Sequence, residues 1–304
     1  MYRADPFMLT CPVEPQDLHC PCCLTMQRQG KDVWHHQCPN CGYESAWFTN
    51  SINVEHASLS ESHRADGLHA LRESNFRDLL GVLSPHLTKE HRSLLEVGCG
   101  HGWFLELAGR RFAARGIEPD QQICQLARAK GLDVREGYFP DTLSPGERFD
   151  VIVFNDVLEH IPDLQATLLA CHDALNTGGL LVLNLPSSKG VFYFLAKTGR
   201  HLGLAGAFER LWQKGFPSPH LHYFDRFNLA LLLQRCNFQV RAEGTLPSIR
   251  LNGLYNRIAY ANPSQRVQHA LMWLVLVVFY PLVKWLPSDA MLLLAVREDR
   301  WPEA

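Results

Sequence analysis

The chain has 304 residues, 46% of them hydrophobic, and 29 Lys and Arg against 31 Asp and Glu leave a formal net charge of −2. That length accommodates an enzyme domain of about 200 residues plus a smaller module, and the near-neutral balance excludes a global positive field of the kind that grips nucleic acid. Ten cysteines, with no charged-then-apolar leader, point to a reducing compartment where thiols bind metal or pack, so a cytoplasmic location is expected.

Residues 1–50 read as a small module. Cys20-Pro21-Cys22-Cys23 and Cys38-Pro39-Asn40-Cys41 give two C-x2-C pairs separated by 14 residues, a spacing that suits tetrahedral zinc held by Cys20, Cys23, Cys38 and Cys41. Lys31–Gln37 can supply a short hairpin between the pairs, as in a zinc ribbon. So short a module cannot fold on apolar burial alone, and metal would supply the stabilisation. Four thiolates leave no open coordination position, so such a zinc would be structural. Free reduced thiols are the alternative, and Cys22 blurs which of the first three cysteines ligate. Cys11, His35 and His36 read as surface residues. Residues 51–66 read as a linker into a domain over 67–304, which opens with Leu68, Leu71, Phe76, Leu79, Leu80 and Leu83 at helical spacing.

The centre of the chain alternates between strand and helix patterns. Strands are expected at Ser93–Val97, Arg115–Glu118, Leu132–Arg135, Phe149–Phe154 and Leu180–Leu185, and helices at Trp103–Ala114, Gln121–Lys130 and Leu164–Leu175. This alternation predicts an α/β fold, a doubly wound, mostly parallel sheet with helices on both faces. Its first strand runs into Gly98-Cys99-Gly100-His101-Gly102, where glycines let backbone turn sharply and approach a ligand. A dinucleotide fingerprint would place its third glycine at 103, where Trp103 stands, which disfavours NAD.

The E-x-G-x-G-x-G form from Glu96, with an acid at Glu118 ending the next strand, resembles the first two motifs of class I S-adenosylmethionine (SAM) methyltransferases. Phe149–Pro162, containing Leu158-Glu159-His160-Ile161, resembles the fourth motif, and Gly178–Pro186 the fifth. The resemblance implies a seven-stranded Rossmann-like sheet whose last strand is antiparallel. It also implies that Glu118 accepts the ribose diol, that Glu96 with Gly98, Cys99, Gly100 and Gly102 surrounds the methionine end, that Tyr138 lies against adenine, and that Asn155 closes over the cofactor. Asp156, Glu159 and His160 resemble the acid-x-x-Glu-His of ubiquinone-pathway O-methyltransferases, where such residues can hold a divalent cation beside the acceptor hydroxyl.

The acceptor side follows. Pro217–Phe224 resembles the family's H-L-H-Y-F segment ahead of a helix at Asn228–Cys236, which makes His220 the first candidate general base and His160 the second. Positioning a nucleophile against an activated methyl can also dispense with a base. Phe238–Glu243 and Met291–Val296 would be the last strands, flanking an insert at about 245–289. Within it, Leu271–Val283 is thirteen residues without a charge, about 20 Å as a helix and too short to cross a hydrocarbon core near 30 Å. No other run approaches 20 apolar residues, so no spanning helix is predicted. The segment is expected to make peripheral membrane contact, anchored by Trp273, Tyr280, Lys284 and Trp285, to form a homo-oligomer contact, or to cover the substrate as a lid. The aromatic stretch Val191–Leu195 favours an apolar or lipid-linked acceptor. The reading is methyl transfer from SAM to a small-molecule or lipid- or saccharide-linked acceptor, with oxygen favoured. An RNA methyltransferase gripping nucleic acid through the ribbon is weakened by the charge balance, and a non-catalytic SAM-binding scaffold is the alternative from another class.

Overall fold

The computed structural model describes residues 19–52, 61–259 and 266–299. Cys11, the rest of the first 18 residues and residues 53–60 of the expected linker lie outside the described residues. Among the described residues the first elements are β1 (Arg28–Gln29), β2 (His35–Gln37) and β3 (Glu44–Ala46), then helix α1 (Glu61–Leu83), which extends back into the stretch expected as linker. From β4 (Ser93–Val97) it alternates through α2 (Trp103–Ala108), β5 (Ala113–Glu118), α3 (Gln121–Ala129), β6 (Val134–Glu136), β7 (Phe149–Asn155), α4 (Leu164–Ala174) and β8 (Leu175–Pro186). The remainder is α5 (Val191–His201), α6 (Ala205–Leu211), β9 (His222–Tyr223), α7 (Arg226–Arg235), β10 (Phe238–Leu246), α8 (Leu254–Ala259), α9 (Arg266–Val283) and β11 (Ala290–Arg297).

The seven-stranded sheet has the order β10-β11-β8-β7-β4-β5-β6. Strands β4 to β8 are parallel, and β11 runs antiparallel to both β8 and β10. The expected α/β architecture, mostly parallel with an antiparallel last strand, is therefore present. Because side chains alternate across a strand, Leu95, Val97, Ile152, Phe154, Leu181 and Leu183 enter one core while Leu94, Val151, Val153, Leu180 and Val182 enter the other. Burial on both faces explains why these strands read as continuous apolar runs. The order reverses at β4, so the ligand crevice of such a sheet lies beyond the carboxyl ends of β4 and its neighbours.

Two boundaries moved for local reasons. Helix α2 stops at Ala108, capped by Gly109, and not at Ala114. Phe112 is buried from the following turn, which continued the apolar spacing without continuing the helix. Strand β8 begins at Leu175, directly after α4.

The N-terminal strands are not a detached module. They form a second sheet, β1-β2-β3-β9, whose fourth strand is His222–Tyr223, from the segment expected to face the acceptor. Cys20, Cys22, Cys38 and Cys41 belong to the same buried cluster as Leu181, Leu183 and Phe224. The expectation that His35 and His36 lie on the surface is corrected, since they are 4% and 3% exposed. His35 Nε2 pairs with Glu44 Oε2 at 2.7 Å, and His36 stacks on Trp47.

The insert also differs from expectation. Its apolar helix α9 has 18 residues, because a turn from Arg266 precedes Leu271, and by length and composition it is long and apolar enough to cross a membrane. It is not a buried lid, since only 6% of it is buried.

Candidate active site

The glycine loop between β4 and α2 places Gly98, Gly100 and Gly102 at positive φ. At Gly98 (φ +68°) an added Cβ would meet Val157 Cγ2 at 2.6 Å, so only glycine fits. Gly100 (φ +53°) opens on free space, and its N–H donates to Glu118 Oε2 at 2.7 Å. Asp120 N–H donates to Glu118 Oε1 at 2.9 Å, while the Asp120 side chain caps α3 through Gln122 and Ile123. Glu118 thus joins the end of β5 to the glycine loop. Burial pushes its carboxyl above the ordinary range.

Glu96 sits 2% exposed on β4. Its Oε1 accepts from Asn155 Nδ2 at 2.9 Å, Asn184 Nδ2 reaches Asn155 Oδ1 at 3.4 Å, and Glu96 Oε2 has no partner. Burial pushes the Glu96 carboxyl up to about 8, against the bond from Asn155. With Glu118, Asp156 and Glu159, it makes the carboxyl edge of the sheet an acidic cluster. A buried carboxylate lacking a partner is costly until a cation or donor reaches it, so this cradle suits a positively charged ligand beside a tight glycine turn. The Cys99 side chain packs away from that opening, where a Cβ on Gly116 would meet its Sγ at 2.5 Å, so Cys99 can contribute to the loop through backbone only. Tyr138 lies beyond β6 with its side chain 54% exposed, at the rim.

The expected cation triad is corrected. Asp156 takes a left-handed conformation (φ 55°) and turns toward Arg72 of α1, Nη2 to Oδ2 3.6 Å. The donors that converge are Glu159, His160 and His220, whose ligand atoms lie within 4.8 Å of one another. Glu159 is fully buried on the short turn Leu158–His160, and neither carboxylate oxygen has a hydrogen-bond partner. Its Oε1 lies 3.9 Å from His160 Nε2 and 4.0 Å from His220 Nε2. Burial, then the Asp156 charge, raises its carboxyl well above the usual range.

The tautomers follow from the partners. Nδ1 of His160 lies 2.8 Å from the Pro219 carbonyl, so Nδ1–H donates there and Nε2 keeps its lone pair. Tyr223 Oη–H donates to the Leu211 carbonyl, so His220 Nδ1–H donates to Tyr223 Oη at 3.2 Å. His220 Nε2 then accepts from Gln213 Nε2 at 2.8 Å. Burial, then His160, holds His220 well below the ordinary imidazole range, hence neutral.

The four thiols Cys20, Cys23, Cys38 and Cys41 also converge within 4.8 Å, with contacts of 3.5 Å (Cys20–Cys41) and 3.4 Å (Cys23–Cys38). A tetrahedral zinc with bonds of about 2.3 Å needs sulfur separations of about 3.8 Å, so this donor set fits one. Cys22 is buried but stands outside the group. The cysteine segment bonds directly to the 158–161 turn, to the segment around β9 and to α7. Ala46 N–H donates to Leu221 O at 2.9 Å, Asn50 Nδ2 to His160 O at 2.9 Å, and Asn228 Nδ2 to Cys41 O at 3.3 Å. His222 is held between Tyr43 Oη and the Ile161 carbonyl. Arg72, Gln213 and the Tyr43–His222 contact were not singled out from sequence. Arg72 could have been, as a cation beside the apolar stripe of a helix expected next to the site; the other contacts link residues whose pairing leaves no local pattern.

A methyltransferase-domain family profile matches residues 68–243, more than half of the chain. The ubiquinone biosynthesis O-methyltransferase of Azotobacter vinelandii is 30% identical over 163 residues, 48% of this chain and 70% of that protein. The protein of the same name from Cereibacter sphaeroides is 34% identical over 108 residues, 33% and 43% of the two chains. Among solved structures, a Haloferax volcanii methyltransferase in complex with the Trm112 methyltransferase activator matches with TM-score 0.53 at 14% identity, over 80% of this chain and 98% of that one. Magnesium protoporphyrin IX methyltransferase from Synechocystis, with SAH bound, matches with TM-score 0.50 at 12% identity, over 80% and 90%. These structural likenesses speak to the fold, and the profile and sequence relatives to the family. The chain belongs to the class I S-adenosylmethionine-dependent methyltransferases.

Proposed function

We propose that this methyltransferase methylates a hydroxyl of a small-molecule acceptor held beside Glu159, His160 and His220, and that this trio takes a divalent cation. The observation that carries the reading is the buried Glu159 carboxylate, without a hydrogen bond at either oxygen and with Nε2 of His160 and of His220 at 3.9 and 4.0 Å from its Oε1. Nitrogen and oxygen donors of this kind suit a borderline or hard divalent cation. Kinship with ubiquinone biosynthesis O-methyltransferases at about 30% identity supports oxygen as the nucleophile.

SAM supplies an electrophilic methyl on a sulfonium. Glu118 and the glycine loop would bind and orient it, and the partnerless oxygen of Glu96 would accept a donor from its charged end. Bound to the trio, a cation would lower the pKa of an acceptor hydroxyl. With Nδ1–H fixed on Pro219, His160 offers Nε2 as its one lone pair, which a bound cation would use, so the hydroxyl proton would leave to solvent. His220 is set aside as first candidate base, because Gln213 already donates to its Nε2 and burial weakens that ring as a base. As a ligand, His220 would exchange the Gln213 amide at Nε2 for the cation. The four-thiol centre would hold structural zinc, and its bonds to the 158–161 turn and to β9 would fix both histidines in place.

The test is transfer of labelled methyl from SAM to a panel of phenols, catechols and amines, with and without added magnesium after chelation. Magnesium-stimulated methylation of hydroxyl acceptors is expected. Transfer to amines alone, or to hydroxyls with no response to any divalent cation, would overturn the proposal.

A further inference from the structure

The α8–α9 excursion leaves the sheet at Leu246 and returns at Ala290, and those two residues pair across β10 and β11. Both lie at the carboxyl edge of the parallel strands, the edge that carries Glu96, Glu118, Asn155 and Pro186. Helix α9 touches the protein along a narrow seam, His269, Leu276, Val277, Tyr280 and Val283, and is exposed elsewhere. Leu271 to Val275 are five consecutive exposed apolar residues, more than one full turn of helix. Val278, Phe279, Leu282, Trp285 and Leu286 continue the exposed surface.

We propose that α9 lies in the surface of a phospholipid bilayer and that this monotopic contact presents the ligand-bearing edge of the sheet to the membrane. Three observations choose this occupant. A second copy of the chain would cover one side of the helix, whereas apolar residues here surround it apart from the seam, as lipid would require. From residue 244 to residue 288 the sequence has no Asp or Glu; Arg250 is paired with Asp78 and Arg257 bonds the Ser248 carbonyl, which leaves Arg266 and Lys284 at the two ends of the helix as a charge pattern complementary to anionic headgroups. The topology excludes a single crossing. Helix α9 is about 27 Å long, but α8 packs on α1 and β11 returns to the sheet, so both ends of the excursion belong to one side. The link from Ala259 to Arg266 reaches at most about 25 Å fully extended, short of a return crossing of about 30 Å. In-plane burial remains, with Arg266 and Lys284 at the helix ends and Trp285 at interfacial depth.

That an acceptor would then arrive from the membrane rests on the methyl-transfer reading; the docking itself does not. The test is flotation of the full chain with phosphatidylcholine vesicles, with and without phosphatidylglycerol, beside light scattering and SAM calorimetry. The expected result is flotation that strengthens with phosphatidylglycerol and weakens with salt. Leu274→Glu with Phe279→Glu should reduce vesicle binding by roughly tenfold or more while SAM affinity is retained, which shows the variant is folded. A protein that stays at the bottom of the gradient with every vesicle overturns the inference, whether it scatters as a monomer or as a dimer that the two substitutions dissolve. Undiminished flotation of the folded double variant overturns it as well. Loss of methyl transfer without loss of flotation would strike the acceptor assignment alone.

Discussion

Replacing Glu118 by Ala tests the cofactor side most directly. The carboxylate accepts backbone N–H bonds from Gly100 at 2.7 Å and Asp120 at 2.9 Å, and it is 8% exposed. In free protein those bonds hold the glycine loop against the end of β5, and the remaining lone pairs are what a ribose diol would use. Hydrogen bonds to a charged group contribute about 1.5–3 kcal/mol each. Removing the acceptor leaves Gly100 N–H to find water and deletes at least one bond to the diol, so SAM affinity should fall about ten- to a hundredfold. Glu118→Gln retains one oxygen but turns an amide N–H toward one of two backbone donors, so its loss should be comparable. Calorimetry with SAM, on variants whose thermal unfolding remains cooperative, measures this directly. An unchanged Kd in a folded Glu118→Ala protein would remove Glu118 from the site.

Three further outcomes are expected. The Glu96 carboxyl, pushed up to about 8 by burial, is largely protonated at pH 7 in the free protein; a cationic ligand favours its ionised form, so SAM affinity should rise from pH 6 to about pH 8 and level off above, and Glu96→Gln should flatten that profile in calorimetry. Glu159→Gln should abolish stimulation by magnesium, costing about 10–100-fold in activity, while SAM binding stays within about twofold; an undiminished magnesium response excludes Glu159 as a ligand. The purified chain should carry about one zinc, Cys38→Ser or Cys41→Ser should lose it, and both should unfold at lower temperature; full zinc content in either variant contradicts the four-thiol assignment.

The parts of this molecule that were legible in the sequence are those whose physics is local. Strands β4, β7 and β8 are buried on both faces and read as apolar runs, and a positive-φ turn that admits only glycine at Gly98 marks itself. Where one local rule continued past its cause, the expectation slipped. Phe112 keeps helical spacing after Gly109 has ended α2, and the unbroken apolar run that marks α9 starts only at Leu271, whereas the helix itself starts at the polar Arg266.

The acceptor side was less legible because its geometry depends on contacts distant in sequence. Asp156 stands three residues from Glu159, within the local motif, yet a left-handed backbone at its φ of 55° sends it to Arg72. His220, 61 residues beyond Glu159 in the chain, fills the place beside it. What brings His220 there is a chain of pairings, none of which leaves a periodic signal: β3 adds to β9, Leu221 N–H donates to the Glu159 carbonyl at 2.7 Å, and Ala46 N–H donates to the Leu221 carbonyl. His35 and His36 illustrate the same point from the other side. Residues that look solvated in an isolated ribbon become core once β3 finds its partner strand, Glu44 being satisfied by His35, Tyr193 and Lys197 together. The thiol centre therefore supports more than its own fold. The contacts run from Cys41 to Asn228, from Tyr43 to His222, and from Ala46 to the segment that carries His220, so in the proposed reading a variant that loosens the four cysteines is expected to disturb the geometry around His220 as well.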